Sequence, residues 1–404
     1  MTTSPTAMAL PRRARSTLRG ARSPLLGLLC ILASACAGME RIEYTEPASA
    51  SAAILPGEDD ASAVRFWAGN DRARYDAWIA EVYSDRKASG LPEPENMLVI
   101  SGGSDKGAYT AGLLNSWSEK GSRPQFDLVT GVSTGALIAP FAFLGSSQDA
   151  TLKEIYTGIG PGDIYRSRPF GILFGKSALA RTEPLQELIA KYTTRDFLER
   201  IAAEHRKGRR LLVMTTQLDS GRGMIWDMGA IAARGTPRGD ALFRQVLLAS
   251  ASIPGVFPPV FIEANDGTRS FEEMHVDGGV VSSFFVLPLE LLERRLHSRA
   301  GKRNIWILYN GRLQPKFEVV GADALSILQR SIDVTLTSHD QTFLTGLRLF
   351  GERNGVRVAL CGIEDDIAAE DAEIFDTERM NQFYEMGRDS AAEDEGCLDR
   401  EFEF

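Results

Sequence analysis

Histidine and cysteine are scarce in this chain, four of each in 404 residues. None of them stand at a metal-ligating spacing, so the sequence calls for no metal site. Positive charge is short as well. Lys and Arg number 45 against 54 Asp and Glu, and five of the arginines (Arg12, Arg13, Arg15, Arg19, Arg22) fall in the first 35 residues, which hold no acid. The rest of the chain therefore nets −14. Phosphate backbones and anionic lipid surfaces both need clustered cations, so nucleic acid and purely electrostatic membrane attachment are excluded as partners. What remains is an ordinary balance of apolar and charged residues, enough for one large domain with decorations.

The N-terminus has the layout of an export signal. The arginines form a basic region, and Pro24 to Ala35 forms an apolar stretch too short to span a bilayer comfortably. The pair Arg12-Arg13 is not followed by a twin-arginine pattern. Leu32-Ala33-Ser34-Ala35-Cys36 resembles a bacterial lipobox, with the large aliphatic residue one place early. The expectation is a signal peptide over 1–35 and a lipid anchor on Cys36, with plain cleavage after Ala35 as the alternative. Ala37-Gly38 carries no aspartate, which leans towards an outer-membrane lipoprotein facing the periplasm. Residues 36–62, rich in Ala, Ser, Glu and Pro, read as a flexible tether, and 63–404 as the folded domain with a C-terminal helical extension. With Cys30 removed and Cys36 acylated, Cys361 and Cys397 remain, either as a disulfide holding down the tail or as two separate thiols.

Apolar strand runs alternate with helical stretches, which implies a three-layer α/β/α sandwich on a mostly parallel sheet. Residues 63–88 carry apolar side chains at helical spacing and read as a helix over the sheet edge. Met97 to Ile100, Phe126 to Thr130, Leu211 to Met214 and Asn304 to Tyr309 read as buried strands. Asn265-Asp266-Gly267 signals a hairpin between Val260–Ile262 and Glu272–Val276. The Gly158–Gly175 stretch is read as a loop, either a lipid-facing lid or packed.

The chemistry centres on Gly131-Val132-Ser133-Thr134-Gly135. A G-x-S-x-G between a strand and a helix is a nucleophile elbow, with Gly131 and Gly135 needed because the turn leaves no room for Cβ atoms. A second strand-to-helix junction reads Ser101-Gly102-Gly103-Ser104-Asp105-Lys106-Gly107. Its backbone N–H groups suit either a phosphate or an oxyanion. The dinucleotide fingerprint fails at Ser104 and the Walker pattern fails too. With a serine elbow downstream, an oxyanion site at Gly102, Gly103, Ser104 and Gly107 is the more economical reading, and no cofactor is called for.

A serine needs a base. His205, His297 and His339 read as solvated or structural. His275 is a candidate, two residues before Asp277 on one strand and on the same face. Asp277 itself, followed by Gly278 and Gly279, closes that strand at the sheet edge where α/β sites form. Its own alternative is an Asp-Gly turn.

Taken together, the glycine-rich loop, the serine elbow, the Ser-Ile-Pro and Phe-Pro-Pro block of Ala249–Pro259 and Asp277-Gly278-Gly279 resemble the patatin-like phospholipase family. The motifs run in order from about Met97 to Val281. The resemblance implies a patatin-like fold and a hydrolase of phospholipid or lysophospholipid esters. It also implies a Ser–Asp dyad of Ser133 and Asp277, with an acyl-enzyme and no metal. Two departures stand in the loop: Ser104 replaces a third glycine, and Lys106 stands where arginine often occurs. A positive φ at position 104 would put oxyanion stabilisation in question. Pro140, in the second turn of the elbow helix, is expected to kink it. Two rival readings remain, a Ser–His–Asp esterase using His275 and an inactive lipid-binding module.

Overall fold

The computed structural model describes Met1 and residues 41–402, apart from 58–63, 70, 168–177, 288–302, 313, 315, 316, 318, 365, 366, 368–372, 394 and 395. The signal-peptide and Cys36 readings, most of the tether's start, His297 and Phe170 to Phe174 lie outside the described residues.

The strands of the main sheet are β1 (Arg65–Trp67), β2 (Asn96–Ile100), β3 (Leu128–Val132), β4 (Arg210–Gln217), β5 (Arg222–Asp227), β6 (Val260–Asn265), β7 (Ser270–Asp277), β8 (Arg303–Tyr309) and β9 (Val356–Gly362). Their order is β1-β5-β4-β3-β2-β8-β9, with the β6–β7 hairpin joined to β4. The five strands from β4 to β9 in that order are parallel. The antiparallel exceptions include β5 and β1 as well as the hairpin expected from sequence. Eight helices bear on the site: α1 (Glu46–Ser51), α2 (Arg72–Ala88), α3 (Gly107–Glu119), α4 (Thr134–Leu144), α5 (Arg195–Arg206), α6 (Pro237–Ser250), α7 (Ala324–Asn354) and α8 (Thr377–Ala392).

The strands are apolar on both sides because helices cover both faces. Leu98, Ile100, Val129, Leu211, Val213 and Leu308 pack with α3, α4, α6 and α8. The alternate residues face the other way. Val99 and Ile307 meet Leu344 and Leu347 of α7, and Leu212 and Met214 meet Tyr75 and Ile79 of α2. This is the three-layer sandwich.

Several local readings change. Within 63–88, Phe66 and Trp67 belong to an edge strand and only Arg72–Ala88 is helical. The β-rich triplet pairs with β5 instead of extending the helix. The tether reading fails for residues 41–57. Arg41 makes a bidentate ion pair with Asp219, at 2.7 Å for each nitrogen, and also donates to the Glu272 carbonyl. Ala53 bridges Asn265, and Ser49 of α1 donates to the buried Glu273. These polar partners lie far downstream, which composition cannot show. Between 158 and 167 the chain forms one helical turn, Pro161–Ile164, with Ile164 buried and the Tyr165 hydroxyl on Glu373, while Gly158, Gly162, Asp163, Arg166 and Ser167 are exposed. Helix α4 runs through Pro140 as one element.

Cys361 and Cys397 are bonded, which closes a loop that contains α8. That helix lies unusually close to α3. A Cβ on Gly112 would overlap the Tyr384 carbonyl, and one on Gly387 the Tyr109 carbonyl. Reducing the disulfide, with its 36-residue separation, is expected to lower unfolding stability by about 2–4 kcal/mol. Denaturant titrations with and without reductant read this directly, and coincident curves would show that the bond adds no constraint.

Candidate active site

Strand β4 organises the site. β3 pairs along it as far as Val132 opposite Met214. The next residue of β4, Thr215, pairs instead with Asp277, the end of β7 running in the opposite direction. Two strands thus meet end to end along one edge of β4. The residue that follows the first is Ser133, and the last residue of the second is Asp277. Gly278 allows the meeting, since a Cβ there would lie 2.5 Å from the Met214 carbonyl oxygen.

Ser133 has φ 55° and ψ −125°, the strained turn of an elbow. The strain is held by tight packing. A Cβ on Gly131 would overlap the Gly135 carbonyl. One on Gly135 would overlap the Ile100 carbonyl and lie 2.6 Å from that of Ser101. The glycines are therefore required, Gly131 by the helix and Gly135 by the end of β2. The Ser133 N–H donates to Ser250 Oγ at 3.0 Å, and that hydroxyl donates to the Met214 carbonyl at 2.7 Å. Ser250 ties the elbow to β4. It lies in the Ala249–Pro259 block, whose role the sequence left open.

Asp277 is buried. Its Oδ1 accepts the Gly279 N–H at 2.7 Å, and its Oδ2 has no hydrogen bond of ordinary geometry among the described residues. Burial pushes its carboxyl up to about 7, against the smaller downward pulls of the Ser133 hydroxyl and the Gly279 N–H. Its backbone is fixed by N–H donation to the Ser252 carbonyl and by the Thr216 hydroxyl on its own carbonyl, both at 2.9 Å.

The glycine-rich loop lies against the nucleophile, since a Cβ on Gly102 would stand 3.1 Å from that of Ser133. Only part of the expected donor set is free. The Gly102 N–H is taken by the Ser283 carbonyl at 2.8 Å. The Gly107 N–H bonds back to Ser104 and Asp105. These two are not oxyanion donors. Gly107 is there for space, because a Cβ would overlap the Thr134 hydroxyl. The N–H groups of Gly103, Ser104 and Thr134 have no acceptor among the described residues. Gly103 has φ 151°, and a Cβ on it would overlap the Asn310 carbonyl. Ser104 has φ 58°, so the departure from glycine does carry local strain.

Two supports of this loop escaped sequence reasoning. Asn310, at the end of β8, donates its N–H to Ser101 Oγ and its side-chain NH₂ to the Ser101 carbonyl, and accepts from Thr110. Asp105 is buried in an ion pair with Arg379 of α8 at 2.8 Å and accepts the Phe375 N–H. An Asn-Gly after a strand was the one available signal for the first. The second joins residues 274 positions apart and had none.

The histidines separate. His275 is fully buried, with Nδ1 against Thr215 Oγ1 at 2.9 Å and Nε2 against Glu273 at 3.3 Å. Glu273 is in turn paired with Arg65. Both ring nitrogens serve this network, and burial lowers the ring's pKa. Of the two roles read for His205, solvated or structural, it takes the structural one. It is buried on α5 beside Asp227, at 3.4 Å, where Gly229 makes room for it. His339 is exposed, as expected.

Two predictions follow from this geometry. Ser104→Gly relieves one strained φ and is expected to hold stability within about 1 kcal/mol of wild type, whereas Gly103→Ala loses about 2 kcal/mol or more. Equal effects in chemical denaturation would contradict the assigned loop. The second concerns Asp277, whose folded pKa lies above its ordinary value of 3.8. Between about pH 4 and 7 the folded chain holds a proton that the unfolded chain has released, so this group's contribution falls as pH rises and the full cost stands above 7. Asp277→Asn removes it. The variant is expected to be more stable than wild type by on the order of 2–4 kcal/mol at pH 8, with the gain shrinking towards pH 4.

The chain is similar to known proteins. Residues 98–290 match the family model "Patatin-like phospholipase". The chain is 26% identical over 346 residues to the "cUMP-AMP-activated phospholipase" of Escherichia coli, covering 79% of this chain and 99% of that protein. Among solved structures it is similar to VipD from Legionella pneumophila, at 13% identity, 73% of this chain, 67% of that one and a TM-score of 0.31, a likeness too slight to carry weight.

Proposed function

We propose that the chain, whose residues 98–290 match the patatin-like phospholipase family model, is a hydrolase of lipid esters in which Ser133 and Asp277 perform the reaction as a two-residue machine. The observation that carries the reading is the end-to-end meeting of β3 and β7 on β4, which brings a strained serine against a buried carboxylate with a pKa of about 7. A base of that strength is half ionised at neutral pH, where proton transfer works best. Asp277 takes the Ser133 proton as Oγ attacks the ester carbonyl. The N–H groups of Gly103, Ser104 and Thr134 hold the oxyanion. The alcohol departs with the proton from Asp277, leaving an acyl-enzyme. Water then attacks with Asp277 again as acceptor, and Ser133 is regenerated. The substrate is a phospholipid or lysophospholipid. Acylation at Cys36 would hold the enzyme at the outer membrane, facing the periplasm.

Neither rival is favoured. A base at His275 would have to abandon Thr215 and Glu273. An inactive module leaves a buried carboxylate beside a strained serine without a use.

Turnover of phospholipid vesicles and of a monomeric short-chain ester tests the reading. Ser133→Ala and Asp277→Asn are each expected to lower kcat by at least about 10³-fold, and His275→Gln by less than tenfold. Wild-type kcat/KM should fall about tenfold per pH unit below 7, because only ionised Asp277 accepts the proton. The reverse order, with His275→Gln the dead variant, would sink the dyad.

A further inference from the structure

Helix α7 is too long for the sheet it covers. Its 31 residues measure about 46 Å, against about 23 Å for the seven residues of β8. Its register is fixed. Leu344, Leu347 and Phe350 pack on the sheet, and Asp340 accepts the Tyr309 hydroxyl at 2.8 Å. Tyr309 is the last residue of β8, so Asp340 marks the level at which the parallel strands end. Residues 324–339 therefore overhang the sheet by about 24 Å, on the side where Ser133 and the glycine-rich loop emerge.

Exposed large apolar side chains gather at this end. Ile327 and Val334, two turns apart on the overhang, are exposed. Phe317 and Val319, on the link from β8 into α7, are 90% and 86% exposed. Val280, three residues past Asp277, and Ile374, on the link that follows β9, are exposed as well. All four of these last residues follow strand ends on the site's side. Large apolar side chains left exposed together at one end of the fold call for an occupant.

The chain outside the description points to one. Residues 2–40, with the apolar stretch 24–35 and Cys36, enter the described structure at Arg41. Arg41 is pinned to Asp219, just beyond the end of β4, so the N-terminal segment arrives at this same end. Five residues from Cys36 to Arg41 span at most about 18 Å. A net-acidic body also offers no electrostatic means of holding anionic lipid.

We propose that the overhang of α7, with Phe317, Val319, Val280 and Ile374, is the face that this protein lays on a lipid bilayer, inserting apolar side chains beside the mouth of the active site. The proposal rests on the lipid-hydrolase reading for its purpose, and on the geometry for its location. It requires contact that salt does not weaken, since apolar burial drives it.

The test uses the full chain. Val319→Trp places a reporter on the proposed face, and Leu349→Trp places one near the other end of α7. With vesicles of brominated phosphatidylcholine and phosphatidylglycerol, the Val319→Trp fluorescence should be quenched beyond the wild-type background, and the Leu349→Trp fluorescence should not, at both 0.1 and 1 M NaCl. The triple variant Phe317→Ser, Val319→Ser, Ile327→Ser should lose at least tenfold in vesicle turnover and keep its turnover of a monomeric ester. Quenching of neither reporter, or of both equally, overturns the proposal. So does a triple variant whose mass by light scattering drops while vesicle turnover holds, which would assign the face to a second copy of the chain. If wild type hydrolyses neither substrate, the lipid-hydrolase reading fails, and quenching still decides the bilayer face alone.

Discussion

The fold depends on one shared edge. β4 extends beyond β3, and the length left over is taken up by a strand running the opposite way. Where the two strands abut, the chain leaves one through a strained serine and ends the other in a buried aspartate. The antiparallel hairpin that interrupts the parallel order is what sets Asp277 beside the residue that follows β3.

That arrangement is held at a local cost. Ser133 and Ser104 both sit at positive φ, and Asp277 keeps a carboxylate out of water, with Oδ1 on the Gly279 N–H. Each is offset by rigid surroundings. Ser250 clamps the elbow to β4, Asn310 clamps the glycine loop, and the buried Asp105–Arg379 pair fastens that loop to α8. The disulfide in turn ties the chain after α8 to β9. The C-terminal region is thus part of the frame of the site.

Much of this was legible in the sequence, and the failures share a cause. Strands buried on both faces announce themselves as apolar runs, so β2, β3, β4 and β8 were readable. The elbow was readable because Gly131 and Gly135 have steric reasons that composition exposes. Asp277 was nameable only through its place in an ordered set of motifs, since alone it is an Asp-Gly turn. What stayed hidden was pairing over long distances. Residues 41–57 look like linker because their partners, Asp219, Glu273 and Asn265, lie more than 150 positions away. His205 was read as solvated or structural, and its helix turns it inward beside Asp227, the structural alternative. Gly102, Gly103, Ser104 and Gly107 were read together as the oxyanion loop, yet the Gly102 N–H is spent on a carbonyl and Gly107 is there for space. Backbone N–H groups carry no mark in sequence to say which are free.

The most direct test of the account is the rate at which a serine-reactive phosphonate labels the intact protein, followed by mass spectrometry of the Ser133 peptide across pH 5 to 9. Labelling of Ser133 alone is predicted, with a rate that rises with an apparent pKa near 7 in wild type and becomes slow and flat with pH in Asp277→Asn. Labelling that is absent, or that keeps the same pH dependence without the Asp277 carboxylate, would contradict the claim that this buried aspartate activates the serine.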